Sequence, residues 1–114
     1  MTIPDAIKLA IKEGYKMPVS FKWSDIFLDP QFWQCLGKAM RWEKGYKVKG
    51  MQGFHISKCC GAKIVLYANH KQCTNCEKME WEGVDSCEPW LYRQHQFIDH
   101  LASGKSAESY FETL

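Results

Sequence analysis

Two short stretches hold the residues best suited to chemistry: Cys59-Cys60-Gly61 and Cys73-Thr74-Asn75-Cys76, with twelve residues between Cys60 and Cys73. Zinc takes four soft or borderline donors in a tetrahedron, and a C-x-x-C turn aims two thiolates at one point. A second pair on the other arm of a hairpin completes the shell, and twelve residues suffice for a strand, a turn and a returning strand. The spacing therefore predicts a zinc site of Cys59, Cys60, Cys73 and Cys76. Its first half is irregular. A regular turn would place a ligand three residues before Cys60, and that position is Ser57. Cys59 must substitute, or His55 or His70 supplies the fourth donor. Four thiolates leave no open coordination position, so such a metal would be structural. Zinc held this way contributes on the order of 10 kcal/mol, comparable with the whole stability of a small domain.

The competing reading is a set of free cysteines behaving as small apolar residues. Against it, both clusters lie among Lys, Asn and Gly and not on apolar faces. A redox role for Cys73-x-x-Cys76 would call for a thioredoxin-like βαβ pattern around it, which is absent. Cys35, beside Leu36, reads as core, and Cys87, before Glu88-Pro89, as a spare thiol. His95 and His100 are five residues apart on one helical run, so they do not form an i, i+4 metal pair. No Gly-rich phosphate loop, Ser/His/Asp set or acid pair is visible, so the chain is not expected to be an enzyme or to take a small-molecule substrate.

The six cysteines also bear on location. No secretory signal pattern opens the sequence and no run of about 18 apolar residues occurs, so a cytoplasmic protein with reduced thiols and no membrane contact is expected. Net charge is +2, unevenly distributed. Residues 1–37 balance, residues 38–78 carry nine Lys/Arg against two Glu, and residues 79–114 carry two basic residues against seven acids. The basic middle, with Lys47, Lys49, Lys58, Lys63 and Lys71 beside Tyr46, Phe54 and Tyr67, is a candidate nucleic-acid surface. Its lysines equally offset the formal −2 that Zn²⁺ and four thiolates carry together.

The elements that must position these residues can be read from period and capping. Thr2 caps a first helix at about 4–13 carrying Ile7, Ala10 and Ile11, with Gly14 as the stop. Ser24 can cap a short turn over 25–28. Asp29-Pro30 opens a helix at about 30–42 with a Phe32, Leu36, Met40 stripe, ending at Lys44-Gly45. Gly37 inside it marks close approach of another helix, for which the later run with Trp90 and Phe97 is the candidate. Tyr46 and Val48 alternate with Lys47 and Lys49. Residues 63–67 read as one strand and Met79-Glu80-Trp81 as a second, shorter one. A helix from Pro89 puts Trp90, Phe97 and Leu101 on one face beside Leu91 and Ile98, and stops at Gly104. Ser106 caps a last helix with Tyr110, Phe111 and Leu114. Five Trp, six Phe and five Tyr can build a small core from few positions.

The segments Asp29-Pro30-Gln31-Phe32-Trp33-Gln34-Cys35-Leu36-Gly37-Lys38-Ala39-Met40 and Phe97-Ile98-Asp99-His100-Leu101-Ala102-Ser103-Gly104-Lys105-Ser106 resemble small uncharacterised phage and prophage proteins. Those carry a DPxFWxxLGKAxGW helix and a C-terminal HxFIDHLxxGKS region; this chain departs from the pattern at Arg41. The stretch from Cys59-Cys60-Gly61 to Cys76 is separately similar to the short CCxA…CxxC zinc ribbons of phage proteins. The resemblance implies a mobile-element origin and a bacterial cytoplasm, and brings no established activity with it.

Together these readings predict an α+β single domain over 1–114: a helical core of 1–45 and 88–114 with a zinc-ribbon hairpin, 46–87, inserted into it. The expected function is a non-catalytic, phage- or prophage-encoded module that binds a host or viral macromolecule, most simply a protein. Nucleic-acid binding through the basic ribbon face is the alternative. Inhibition of a bacterial defence system is a third, resting on origin alone.

Overall fold

A computed structural model describes residues 1–19, 21–42, 47, 53–67 and 70–114. The chain mixes helices with two small antiparallel sheets and divides into two compact units, residues 1–41 with 93–114 and residues 42–92.

The first unit is helical. Helix α1 (Ile3–Lys12) starts where Thr2 Oγ1 accepts the Asp5 amide at 3.2 Å, and Gly14 turns the chain away at φ 101°. Helix α2 (Trp23–Phe27) begins one residue before the predicted cap. Its N-cap is Lys22, whose amide donates to the Asp25 carboxylate at 3.0 Å, so Asp25 and not Ser24 ties down this end. Helix α3 (Pro30–Met40) is capped as predicted by Asp29, which accepts the Gln31 amide at 2.9 Å. It stops at Arg41, in the left-handed region at φ 57°. The stop read at Lys44-Gly45 and the Tyr46/Val48 alternation lie outside the described residues. Helix α3 packs closely along α1, on which Ala6 and Ala10 are buried, and its Trp33 ring also meets Phe97 of the later run at 5.4 Å.

Helices α4 (Pro89–Ala102) and α5 (Ala107–Glu112) close this unit over an aromatic core. Phe32, Trp33, Phe97 and Phe111 are fully buried, with ring centroids 5.4 to 6.4 Å apart in edge, tilted and stacked pairs. The Trp33 indole N–H donates to Phe27 O at 2.7 Å, which satisfies the polar end of a buried ring. On α4 the buried residues past Pro89 are Gln94 and Phe97; Leu101, expected on the core face, and Ile98, expected beside it, are exposed. A polar residue can hold the inward position because the buried Gln94 amide donates to Leu28 O at 3.2 Å, serving a carbonyl left over at the end of α2. Ser106 caps α5 as predicted, and His100 hydrogen-bonds Ser109 Oγ at 2.6 Å.

The second unit is built on two ribbons. Strand β1 (Ile56–Ser57) pairs with β4 (Ser86–Cys87), and β2 (Ile64–Tyr67) with β3 (His70–Cys73) in the register Ile64 to Cys73 and Val65 to Gln72. The strand expected at Met79-Glu80-Trp81 is instead one turn of 3₁₀ helix, Glu80–Glu82. Met79 makes a single bridge to Gln72, after which its amide turns to the Glu82 carboxylate at 2.8 Å and Gly83 ends the turn at φ 91°. Cys87, read as a spare thiol, is a buried member of β4. Among the described residues no helix is long and apolar enough to cross a membrane.

Candidate metal centre

The first cysteine pair sits on a tight turn leaving β1. The Ser57 amide donates to Ala62 O at 2.8 Å and Ser57 O accepts the Gly61 amide at 2.9 Å, which folds Lys58-Cys59-Cys60 into a loop. Gly61 closes it in the left-handed region at φ 64°, and a Cβ there would lie 2.5 Å from the Tyr92 ring, so only glycine fits. The second pair leaves β3 on a similar turn. Glu77 N donates to Cys73 O at 2.9 Å, Cys73 N to Lys78 O at 3.0 Å, and Glu77 takes φ 61°. The Gln72 side chain supports this turn by donating to Glu77 O at 2.9 Å. Thr74 ties the two arms together, donating from N (3.1 Å) and Oγ1 (2.6 Å) to Lys63 O.

These turns bring together the four cysteines predicted from spacing. The Sγ atoms of Cys59, Cys60, Cys73 and Cys76 all lie within 4.8 Å of one another, and Cys59 Sγ is 3.7 Å from Cys76 Sγ. A tetrahedral thiolate site with metal–sulfur bonds of about 2.3 Å has sulfur–sulfur edges of about 3.8 Å. The cluster is already near that size, and its sulfurs are not joined in disulfides. Neither His55 nor His70 belongs to the group; the His70 ring instead stands edge-on to Trp81, centroids 4.9 Å apart.

The electrostatics of the four thiols are uneven in a way that favours a cation. Burial pushes the Cys73 thiol up, but the Cys76 amide, the Ser57 hydroxyl and the Asn75 amide outweigh it and bring it down to about 6. At Cys59 burial comes first, the Ser57 hydroxyl pulls the other way, and the neighbouring thiols of Cys76, Cys73 and Cys60 add to the rise, to about 12. Cys73 thus ionises readily, and Cys59 does not without a compensating charge. A bound cation would supply that charge.

The predicted lysine surface is less uniform than the linear charge count implied. Lys47 and Lys63 are exposed, Lys71 is half-buried, and Lys49 lies outside the described residues. Lys58 Nζ is 3.0 Å from Asp85 in an exposed ion pair, which holds the Asp85 carboxyl below its usual range. The fold also collects Glu80, Glu82, Asp85 and Glu88 into the same unit, so residues 42–92 hold seven lysines against six acids. The +7 excess of residues 38–78 becomes +1 for the folded unit. Sequence reasoning missed two supports of the cluster, Ser57 and Gly61. The signal for Gly61 was present, since glycine directly after a ligand pair marks a turn. No protein-family model, curated protein or solved structure was found to match this chain.

Proposed function

We propose that the chain is a non-catalytic zinc-binding interaction module, in which Cys59, Cys60, Cys73 and Cys76 hold one structural zinc in a ribbon-like hairpin. The observation carrying this reading is the convergence of four thiols to within 4.8 Å on two turns at the ends of paired strands. Four sulfur donors fill a tetrahedral shell, so substrate has no coordination position to enter. The metal's task is then to stabilise the unit that presents Phe54, Leu66 and Trp81, all exposed large apolar side chains suited to a protein partner. A bacteriophage or prophage origin, with action on a host or viral macromolecule in the bacterial cytoplasm, belongs to the same proposal. It is supported by the resemblance of residues 29–40 and 97–106 to small phage proteins.

Elemental analysis of protein purified without added metal tests the first part, with one zinc per chain expected. Zinc well below stoichiometry, with four freely titrating thiols in the folded protein, would overturn it. The nucleic-acid alternative is tested by titrating fluorescent duplex and single-stranded oligonucleotides at two salt concentrations. With a unit charge near zero, binding should be sequence-blind and no tighter than roughly 10⁻⁶ M at physiological salt. Nanomolar binding that persists at the higher salt would favour the alternative.

A further inference from the structure

Ser57 stands where a regular C-x-x-C turn would place its first ligand, three residues before Cys60. The ligand has moved to Cys59, and the hydroxyl left behind is fully buried against the equally buried Cys73. Ser57 Oγ accepts the Ala62 amide at 3.1 Å and the Cys60 amide at 3.4 Å. A hydroxyl has two lone pairs and one proton. Two amides already point at this oxygen, and burial denies its proton a water partner. While protonated, the Cys73 thiol donates to Ser57 Oγ at 3.3 Å. A Cys73 thiolate on a metal has no proton to give, so the same contact is then held by the hydroxyl donating to the sulfur.

We infer that Ser57 is a positioning residue of the metal centre: its hydroxyl donates to the Cys73 thiolate across the cluster and locks the first turn to the second. The inference rests on the zinc reading above. It explains how an irregular Cys-Cys pair works as half of a ligand set. The serine organises the turn through two accepted amides and reaches the opposite turn through its proton, so Cys59 and Cys60 are presented by a loop anchored to the very ligand they must meet.

The test uses the full chain loaded with ¹¹³Cd in place of zinc. The expected spectrum has a cadmium shift in the four-thiolate range and a scalar coupling from cadmium to a slowly exchanging Ser57 hydroxyl proton, transmitted through the O–H···S bond. Ser57→Ala should abolish the coupling and lower zinc affinity about tenfold or more. It should also move the sulfur-to-metal charge-transfer band of the Co²⁺ form to longer wavelength, because an unbonded thiolate is easier to oxidise. A four-thiolate cadmium shift without hydroxyl coupling in the natural chain overturns the inference and leaves the zinc reading standing. A cadmium shift outside the four-sulfur range overturns both.

Discussion

With zinc held as proposed, stripping it with a strong chelator should melt the described part of residues 42–92 while the described part of residues 1–41 and 93–114 keeps its structure. The magnitude follows from what each unit buries. Apart from the cysteines and Pro89 at the start of α4, the buried apolar side chains of the described part of 42–92 are Ile56, Ile64 and Val84. At about 1.5–3 kcal/mol each, they contribute roughly 5–9 kcal/mol. A structural zinc contributes on the order of 10 kcal/mol, more than that apolar core. The helical unit buries Ile26, Phe27, Phe32, Trp33, Leu36, Phe97 and Phe111 and has no such dependence. Amide spectra recorded with and without chelator, with metal content measured alongside, provide the assay. The Ile64 and Val84 amides should collapse into the unfolded envelope, while the Trp33 indole N–H, bonded to Phe27 O, should stay shifted and protected. Cys73→Ser should give the same pattern, with the Ile64 and Val84 amides collapsed and the far-UV helical signal retained. A verified metal-free protein whose Ile64 and Val84 amides remain dispersed would refute the reasoning, and so would loss of the Trp33 signal in step with them.

Three further perturbations probe other parts of the molecule. Gly61→Ala forces a Cβ into the Tyr92 ring at 2.5 Å and a left-handed backbone on alanine, itself a cost of about 1–2 kcal/mol; zinc affinity should fall about tenfold or more by competition titration, and an unchanged affinity would count against the turn geometry. Phe111→Ala empties the centre of the aromatic core and should destabilise the helical unit by about 3–5 kcal/mol in denaturant titration. The Cys73 thiol, lowered in the folded state to about 6 from 9.0, favours folding once pH exceeds the upper value and loses that contribution as pH falls through the lower one. If the metal-free unit melts as above, Cys73 titrates there as in the unfolded chain, so a log-affinity plot should keep one slope through pH 6, and a break at that pH would show a metal-free unit still folded around Cys73.

Much of the local structure was legible along the chain because its causes are local. Thr2, Asp29 and Ser106 each cap the helix they precede through a side-chain oxygen and an amide two or three residues on, and such bonds need no distant partner. The cysteine cluster was legible for a related reason: a twelve-residue separation fits one hairpin, and β2 and β3 are that hairpin. The Met79-Glu80-Trp81 segment was misread although its cause is local: its strand composition outweighed Glu82, three residues on, which captures the Met79 amide and winds it into a 3₁₀ turn. Elements whose form depends on remote partners were not legible. Helix α4 turns Gln94 inward and Leu101 outward because carbonyls at the end of α2, more than sixty residues earlier, offer its amide a partner. The charge distribution also differs between chain and fold. Lysines at 44–78 and acids at 80–88 are separate blocks in sequence but fold into one unit, and a field adds over space and not along the chain. Sequence alone determined which four sulfurs could meet. Tertiary structure decided what surrounds them, because the proton of Ser57 is directed by amides and a sulfur that only the folded turns bring within its reach.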